Sequence, residues 1–238
     1  MRRVYRQDLG AAGLGEHAMG SVPIKHRAVT ALGLVIALFG PSVILEALRP
    51  VDLPAYLLRE VLVFFLLGAL LLLVRYGERL PFSSIGWRTD RLGRAALWGL
   101  LGIVGSYAAI IPCVLLAHAL HWRVGEQAPP KFHPPLWAET IQMLRAGICE
   151  EAFRNGYALE RLWSLTGSRW GALVITLLPF AIFHFHQGPA GIVIASAAGL
   201  VLSLIYLRTR SLPAVMLAHF GVDFIPNILL PLLGADLG

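Results

Sequence analysis

The sequence predicts an all-α fold, a polytopic membrane helix bundle of about seven spans with its N-terminus in the cytoplasm. Three observations predict it. Of 238 residues, 57% are hydrophobic and only 14% charged, with a mean hydropathy of +0.68. A soluble globular domain carries roughly 25% charged residues, so this composition lies outside that class, and outside disordered, collagen-like and disulfide-scaffold chains as well. The apolar residues fall in runs of the length that a membrane crossing needs, about 20 residues. Finally, Lys and Arg are unevenly shared between the ends of those runs. Fourteen of the twenty fall in segments 1–27 and 75–94 and at positions 161, 169, 208 and 210; four lie at 49, 59, 123 and 131; Arg145 and Arg154 fall within a run. That bias sets the N-terminus inside and, with seven crossings, the C-terminus outside.

A polar, Gly-containing tail over 1–27 is expected to be mobile, and residues 28–238 to form one membrane-embedded domain. The first apolar run, 28–48, is too long for a signal-peptide core and no small-residue cleavage site follows it. It reads as a first span with a kink at Pro41. The second runs from about Tyr56 to Val74, with Arg59 and Glu60 one turn inside its start. A polar loop, 75–94, holds the turn-like Pro81-Phe82-Ser83-Ser84. The third span, 95–117, carries no charge. After a Pro-rich loop, residues 136–162 combine an apolar helical pattern with seven charged residues. Three further spans follow at about 170–186, 189–207 and 212–233, the last interrupted by Asp223, Pro226 and Pro231. Cys113 and Cys149 both lie in apolar runs and offer neither a disulfide framework nor a thiolate metal cluster. The net charge of +6 arises at the ends of spans rather than on one basic face, so no nucleic-acid partner is expected.

Ionisable side chains in the hydrocarbon region cost about 2.5–3.5 kcal/mol each on insertion scales, which singles out three segments. In the fourth, Glu150 and Arg154 are i, i+4 and Glu151 and Arg154 are i, i+3, so the arginine can reach either carboxylate. The two glutamates point about 100° apart, so one can face a wet cavity while Arg154 holds the other. Taken alone, this set also reads as a structural ion pair. His184 closes the fifth span, where a lone histidine is commonly an interfacial residue; His186, two residues on, would face away on a helix. In the last span His219 and Asp223 are i, i+4, placing the carboxylate to orient the imidazole. The conjunction of these groups in three spans suits two chemistries. A glutamate can act as general base on water while histidines assist and stabilise an oxyanion. Alternatively His184, His219 and a carboxylate could ligate zinc, although no His-Glu-x-x-His is present. Ser196 and Ser203 lie in no nucleophile motif.

Glu150-Glu151-Ala152-Phe153-Arg154, Phe180-x-x-x-His184 and His219-x-x-x-Asp223 resemble, in order, the three motifs of the CAAX prenyl protease and bacteriocin-processing (Abi) family of membrane-embedded glutamic proteases. Tyr206-Leu207-Arg208-Thr209-Arg210-Ser211-Leu212 and Ser84-Ile85-Gly86-Trp87 are also family-like. The resemblance covers about 136–230. It implies a metal-independent protease without cofactor, in which Glu150 (or Glu151) and His184 activate water, and His219 and Asp223 polarise the scissile carbonyl. Arg154 matches the motif arginine, as a partner of the second glutamate. Two departures bear on these roles. Only two residues separate Glu151 from Arg154 where the family has three, so the motif aligns on either glutamate, with Glu150 favoured as base. Asp223 stands where Asn is common and cannot donate to an oxyanion unless protonated, which suits it better to orienting His219.

The resulting expectation is an intramembrane endopeptidase acting on a membrane-associated peptide or protein. The Arg- and Ala-rich, Lys-poor composition suggests a GC-rich bacterial genome, and the expected location is a bacterial cytoplasmic membrane, as a multi-pass integral protein. A non-enzymatic immunity or scaffold protein that keeps the polar cluster, and a zinc-dependent membrane hydrolase, are the alternatives.

Overall fold

The computed structural model describes residues 24–125 and 132–234. The expected tail, up to residue 23, and the Ala128-Pro129-Pro130 part of the Pro-rich loop lie outside them. Within the described residues the chain is an all-α membrane bundle. Helix α1 is Arg27–Ala47 and runs on through Pro41. Helix α2 is Leu53–Leu72, N-capped by Asp52, whose carboxylate accepts from the Ala55 amide at 2.9 Å, and it continues as a π-turn over Leu73–Gly77. Helix α3 is Leu92–Ala119. The charged fourth segment is one rod over 136–166, here α4. It begins and ends as α-helix (Leu136–Arg145 and Glu160–Thr166) but is π-helical over Ala146–Glu150 and Ala152–Leu159. Helix α5 is Arg169–Ile182, α6 is Gly188–Thr209, and α7 is Leu212–Phe224, extended by a π-turn over Ile225–Leu229 at the expected interruption by Pro226.

Five of these helices are long and apolar enough to cross a membrane: α1, α2 with its π-turn, α3, α6 with the short turn before it, and α7 with its extension. Helix α5 is apolar but has 14 residues, about 21 Å at 1.5 Å per residue, against a hydrocarbon thickness of about 30 Å. Helix α4 is too polar to qualify. It can lie within the bundle because other helices surround it: α1, α2, α5 and α7 all pack on it. Every residue from Glu151 to Arg161 is buried, and each charge in that stretch has a partner on a neighbouring helix, on the loop after α2 or on α4 itself. The apolar faces of α1, α2 and α3 instead point outward, with Val35, Phe65 and Val104 more than half exposed, as lipid-facing surfaces are.

Two contacts position α7 against its neighbours. A Cβ on Gly147 would lie 2.9 Å from the Met216 carbonyl oxygen and from the Phe220 amide nitrogen, so α7 crosses α4 backbone to backbone one turn before the glutamate pair. Gly86 has φ +76°, a left-handed conformation that favours glycine. There its carbonyl accepts from the Leu212 amide at 2.8 Å, tying the 82–87 loop to the start of α7.

Candidate active site

The π-turn of α4 decides what Glu150 meets. Positions five apart on an α-helix lie about 140° apart in angle, but an i→i+5 turn returns the fifth residue to the same edge. Arg145 and Glu150 are related in this way, and Arg145 Nη1 donates to Glu150 Oε1 at 2.6 Å. The same guanidinium donates through Nε to Glu60 Oε2 of α2 at 2.8 Å. Glu60 Oε1 in turn accepts from Arg59 Nε and Nη2 at 3.0 and 2.8 Å. Gln142 Oε1 closes the group, accepting from Arg59 at 3.2 Å and from the Tyr56 hydroxyl at 2.6 Å. Glu60 and Arg145 are buried, whereas the Glu150 side chain is 20% exposed. One Glu150 oxygen is therefore held, while Oε2 accepts no hydrogen bond among the described residues and lies 4.0 Å from His219 Nε2.

Glu151 has a different environment. Its side chain is 0% exposed and both oxygens are engaged. Oε1 accepts from Arg154 Nη2 at 2.7 Å and from His219 Nδ1 at 2.9 Å, and Oε2 accepts from Asn155 Nδ2 at 2.5 Å. Arg154 reaches α6 through Nη1, to the Gly199 carbonyl and the Ser203 hydroxyl, both at 2.9 Å. Ser203 donates onward to Asn155 Oδ1 at 2.9 Å, and the Arg154 guanidinium lies 4.3 Å from the Phe180 ring centroid.

A carboxylate can only accept, so His219 Nδ1 carries a hydrogen toward Glu151. Its Nε2 then looks into the space between Asp223 Oδ2, at 3.5 Å, and Glu150 Oε2. His184 is fixed in the same manner: the Phe180 carbonyl accepts from Nδ1 at 2.8 Å, and Nε2 has no hydrogen bond among the described residues. His184 lies within Coulombic reach of Glu150 and His219. The Phe180 ring stands between the two histidines, 4.9 Å from His184 and 6.4 Å from His219 between ring centres.

The five residues singled out as catalytic thus converge where α4, α5 and α7 meet, and Arg154 partners the second glutamate as expected. Of the two glutamates within reach of Arg154, Glu151 is the one it binds, and Glu150 is held by Arg145 because the π-turn breaks the 3.6-residue phase. One reading of the sequence needs correction: the carboxylate that takes His219 Nδ1 is Glu151, at 2.9 Å, whereas Asp223 stands 3.5 Å from Nε2. The sequence reading also missed Glu60, Arg145, Asn155 and Ser203. For Glu60 and Arg145 the signal was present, since charges inside or beside apolar runs are costly and need partners. Among the described residues, no three His, Cys, Asp or Glu side chains are grouped so as to hold a metal ion.

Residues 132–225 match the family model described as Rce1-like, type II CAAX prenyl endopeptidase Rce1-like. No match is found among curated proteins or among solved structures. The matched segment contains Glu150, Glu151, Arg154, His184, His219 and Asp223. On an all-helical membrane bundle that brings those six together, the match over 132–225 supports a likeness to the CAAX prenyl protease and bacteriocin-processing family and a CAAX-type intramembrane protease kind of function.

Proposed function

We propose that the protein is a glutamate-dependent intramembrane endopeptidase in which Glu150 is the general base. The observation that carries this reading is the contrast between the two glutamates. Glu151 has both oxygens engaged and no exposure, whereas Glu150 keeps Oε2 open beside His219. In this mechanism Glu150 Oε2 takes a proton from water as the water oxygen bonds to the scissile carbonyl carbon, while His184 Nε2 accepts the water's second hydrogen and orients it. The carbonyl electron pair moves onto its oxygen, where His219 Nε2–H donates to it. When the C=O bond re-forms, the C–N bond breaks and Glu150 returns its proton to the departing nitrogen. Charge balance favours the donor role of His219. Glu60, Glu150, Glu151 and Asp223 face three guanidiniums, those of Arg59, Arg145 and Arg154, and an imidazolium at His219 makes the set neutral. The substrate is a peptide segment presented at or within the bilayer.

The test is cleavage of a membrane-anchored peptide library by the full chain in detergent, with metal content measured alongside. Glu150→Gln and His184→Gln should each lower kcat by about 10²–10⁴-fold, the range for a general acid–base group, with melting temperature close to wild type. Chelator treatment should leave the rate unchanged. Undiminished cleavage by Glu150→Gln would sink the assignment. Cleavage that disappears with the chelator and returns with zinc would favour the zinc hydrolase instead.

A further inference from the structure

Away from the glutamate pair, at the opposite, Arg-rich end of the bundle, a pocket of about 210 Å³ opens between the start of α3 and the end of α6. Four arginines line it, Arg88, Arg91, Arg94 and Arg208, against a single acid, Asp90, with Trp98 on its wall. Asp90 lies 3.5 Å from the Arg91 guanidinium. The guanidiniums of Arg88, Arg94 and Arg208 have no hydrogen-bond or ion-pair partner among the described residues. Elsewhere at this end the arginines that approach the protein interior are paired: Arg161 with Glu78, and Arg210 with Glu160. Three unpaired guanidiniums converging on one cavity describe a receptor for an anion.

The surroundings of the pocket identify what kind of anion. Arg94, Trp98 and Leu101 are spaced i, i+4, i+7 and share one face of α3; Leu204 and Arg208 are i, i+4 on α6. Leu101 is 49% and Leu204 41% exposed, so an apolar track leads from the pocket down the outside of the bundle. Below the pocket α3 and α6 close on each other: a Cβ on Gly102 would lie 3.1 Å from Ile205 Cδ1, and one on Gly105 3.3 Å from Val201 Cγ1. Charged head above and open apolar track below match a phospholipid. A soluble phosphate compound would leave the track unused. Basic pockets between membrane helices are suited to anionic headgroups, and bidentate guanidinium–phosphate pairing provides the specificity. We propose that this pocket binds the phosphate-bearing headgroup of one anionic phospholipid, whose acyl chain lies along Leu101 and Leu204.

The test uses the full chain in neutral detergent, titrated with dioleoyl-phosphatidylglycerol or dioleoyl-phosphatidylcholine and followed by native mass spectrometry and thermal melting. Wild type should retain one phosphatidylglycerol and be stabilised by it, with no comparable retention of phosphatidylcholine. With each surface arginine contributing modestly to anionic-lipid attraction, the Arg88→Gln/Arg94→Gln/Arg208→Gln variant should bind on the order of 100-fold more weakly. Single changes at Arg94 or Arg208 should each cost about fivefold, and these serve if the triple variant does not fold. Arg75→Gln/Arg79→Gln removes two guanidiniums from the same end outside the pocket and should cost less than about threefold. An equal loss per charge in that control would reduce the effect to diffuse surface attraction and overturn the site. So would equal binding of the two lipids. Displacement of phosphatidylglycerol by millimolar inorganic phosphate would make the pocket a soluble-anion site and overturn the lipid assignment.

Discussion

Two adjacent carboxylates in one helix are separated here by what surrounds them. Glu151 accepts hydrogen bonds from Arg154, Asn155 and His219 with no exposure, so replacing it by Gln leaves the buried Arg154 charge without its partner. Breaking a buried ion pair by removing one member typically costs about 3–5 kcal/mol. Glu151→Gln should therefore lower the denaturant midpoint substantially, and it should also lower the kcat of the protein that remains folded, because Glu151 holds His219 through Nδ1. Glu150→Gln keeps a hydrogen-bond acceptor for Arg145 at a partly open position and should change stability far less. Equilibrium unfolding of the two variants, beside their kcat values, separates the roles. Equal destabilisation by both would remove the distinction on which Glu150 was chosen as base.

At the scale of elements, what was legible in the sequence follows the physics of each signal. Long apolar runs bounded by Arg are strong, redundant signals, so each helix lies within a few residues of its expected span. The polarity of 136–162 correctly marked α4 as unusual. Its π-turns were not legible, because a single inserted residue per turn leaves no trace in hydropathy and yet rotates everything after it. Pairing by i, i+3 and i, i+4 therefore found Arg154 with Glu151 but could not find Arg145 with Glu150. Nor does one sequence show which helices touch, which kept Glu60 and Ser203 out of the site although the cost of Glu60 in an apolar span was visible. The α4–α7 crossing supplies a test at this scale. A methyl group at Gly147 meets backbone atoms of Met216 and Phe220, which flank His219 and cannot rotate aside as a side chain can. Gly147→Ala should push α7 away from α4, costing about 1–3 kcal/mol as overpacking does. It should also reduce kcat by more than its effect on folded fraction explains, because His219 moves with α7. A variant with full activity at wild-type stability would show that the crossing has room to relax.

Across the whole molecule, α4 adds ion pairs to an apolar core that it shares through Cys149, Ala152, Phe153, Tyr157, Ala158 and Leu159, and those pairs fasten it to its neighbours along its length. Near the glutamates it is tied to α2 through Glu60 and to α6 through Gly199 and Ser203. At the Arg-rich end, Glu160 accepts from the Tyr206 hydroxyl at 2.9 Å and pairs with Arg210. There too, Arg161 donates to Glu78 Oε2 from Nη2 at 2.7 Å and to the Ser84 carbonyl at 3.0 Å. The Thr30 and Tyr157 hydroxyls also donate to Glu78, at 2.7 and 2.9 Å, so one carboxylate joins α1, the loop after α2, and α4. Such a group is costly to break and cheaper to replace, because desolvation of the charges offsets much of their attraction. Glu78→Gln alone should destabilise the protein by about 3–5 kcal/mol, since it leaves Arg161 buried and uncompensated. Glu78→Leu combined with Arg161→Met removes both charges and should recover a large part of that loss. Recovery should stay incomplete, because the Thr30 and Tyr157 hydroxyls lose their shared acceptor, and unsatisfied buried donors cost about 1–3 kcal/mol each. Unfolding of the two variants beside wild type decides the matter. A double variant less stable than Glu78→Gln would mean that the ion pair itself, rather than relief from an unpaired charge, holds this end of α4 in the bundle.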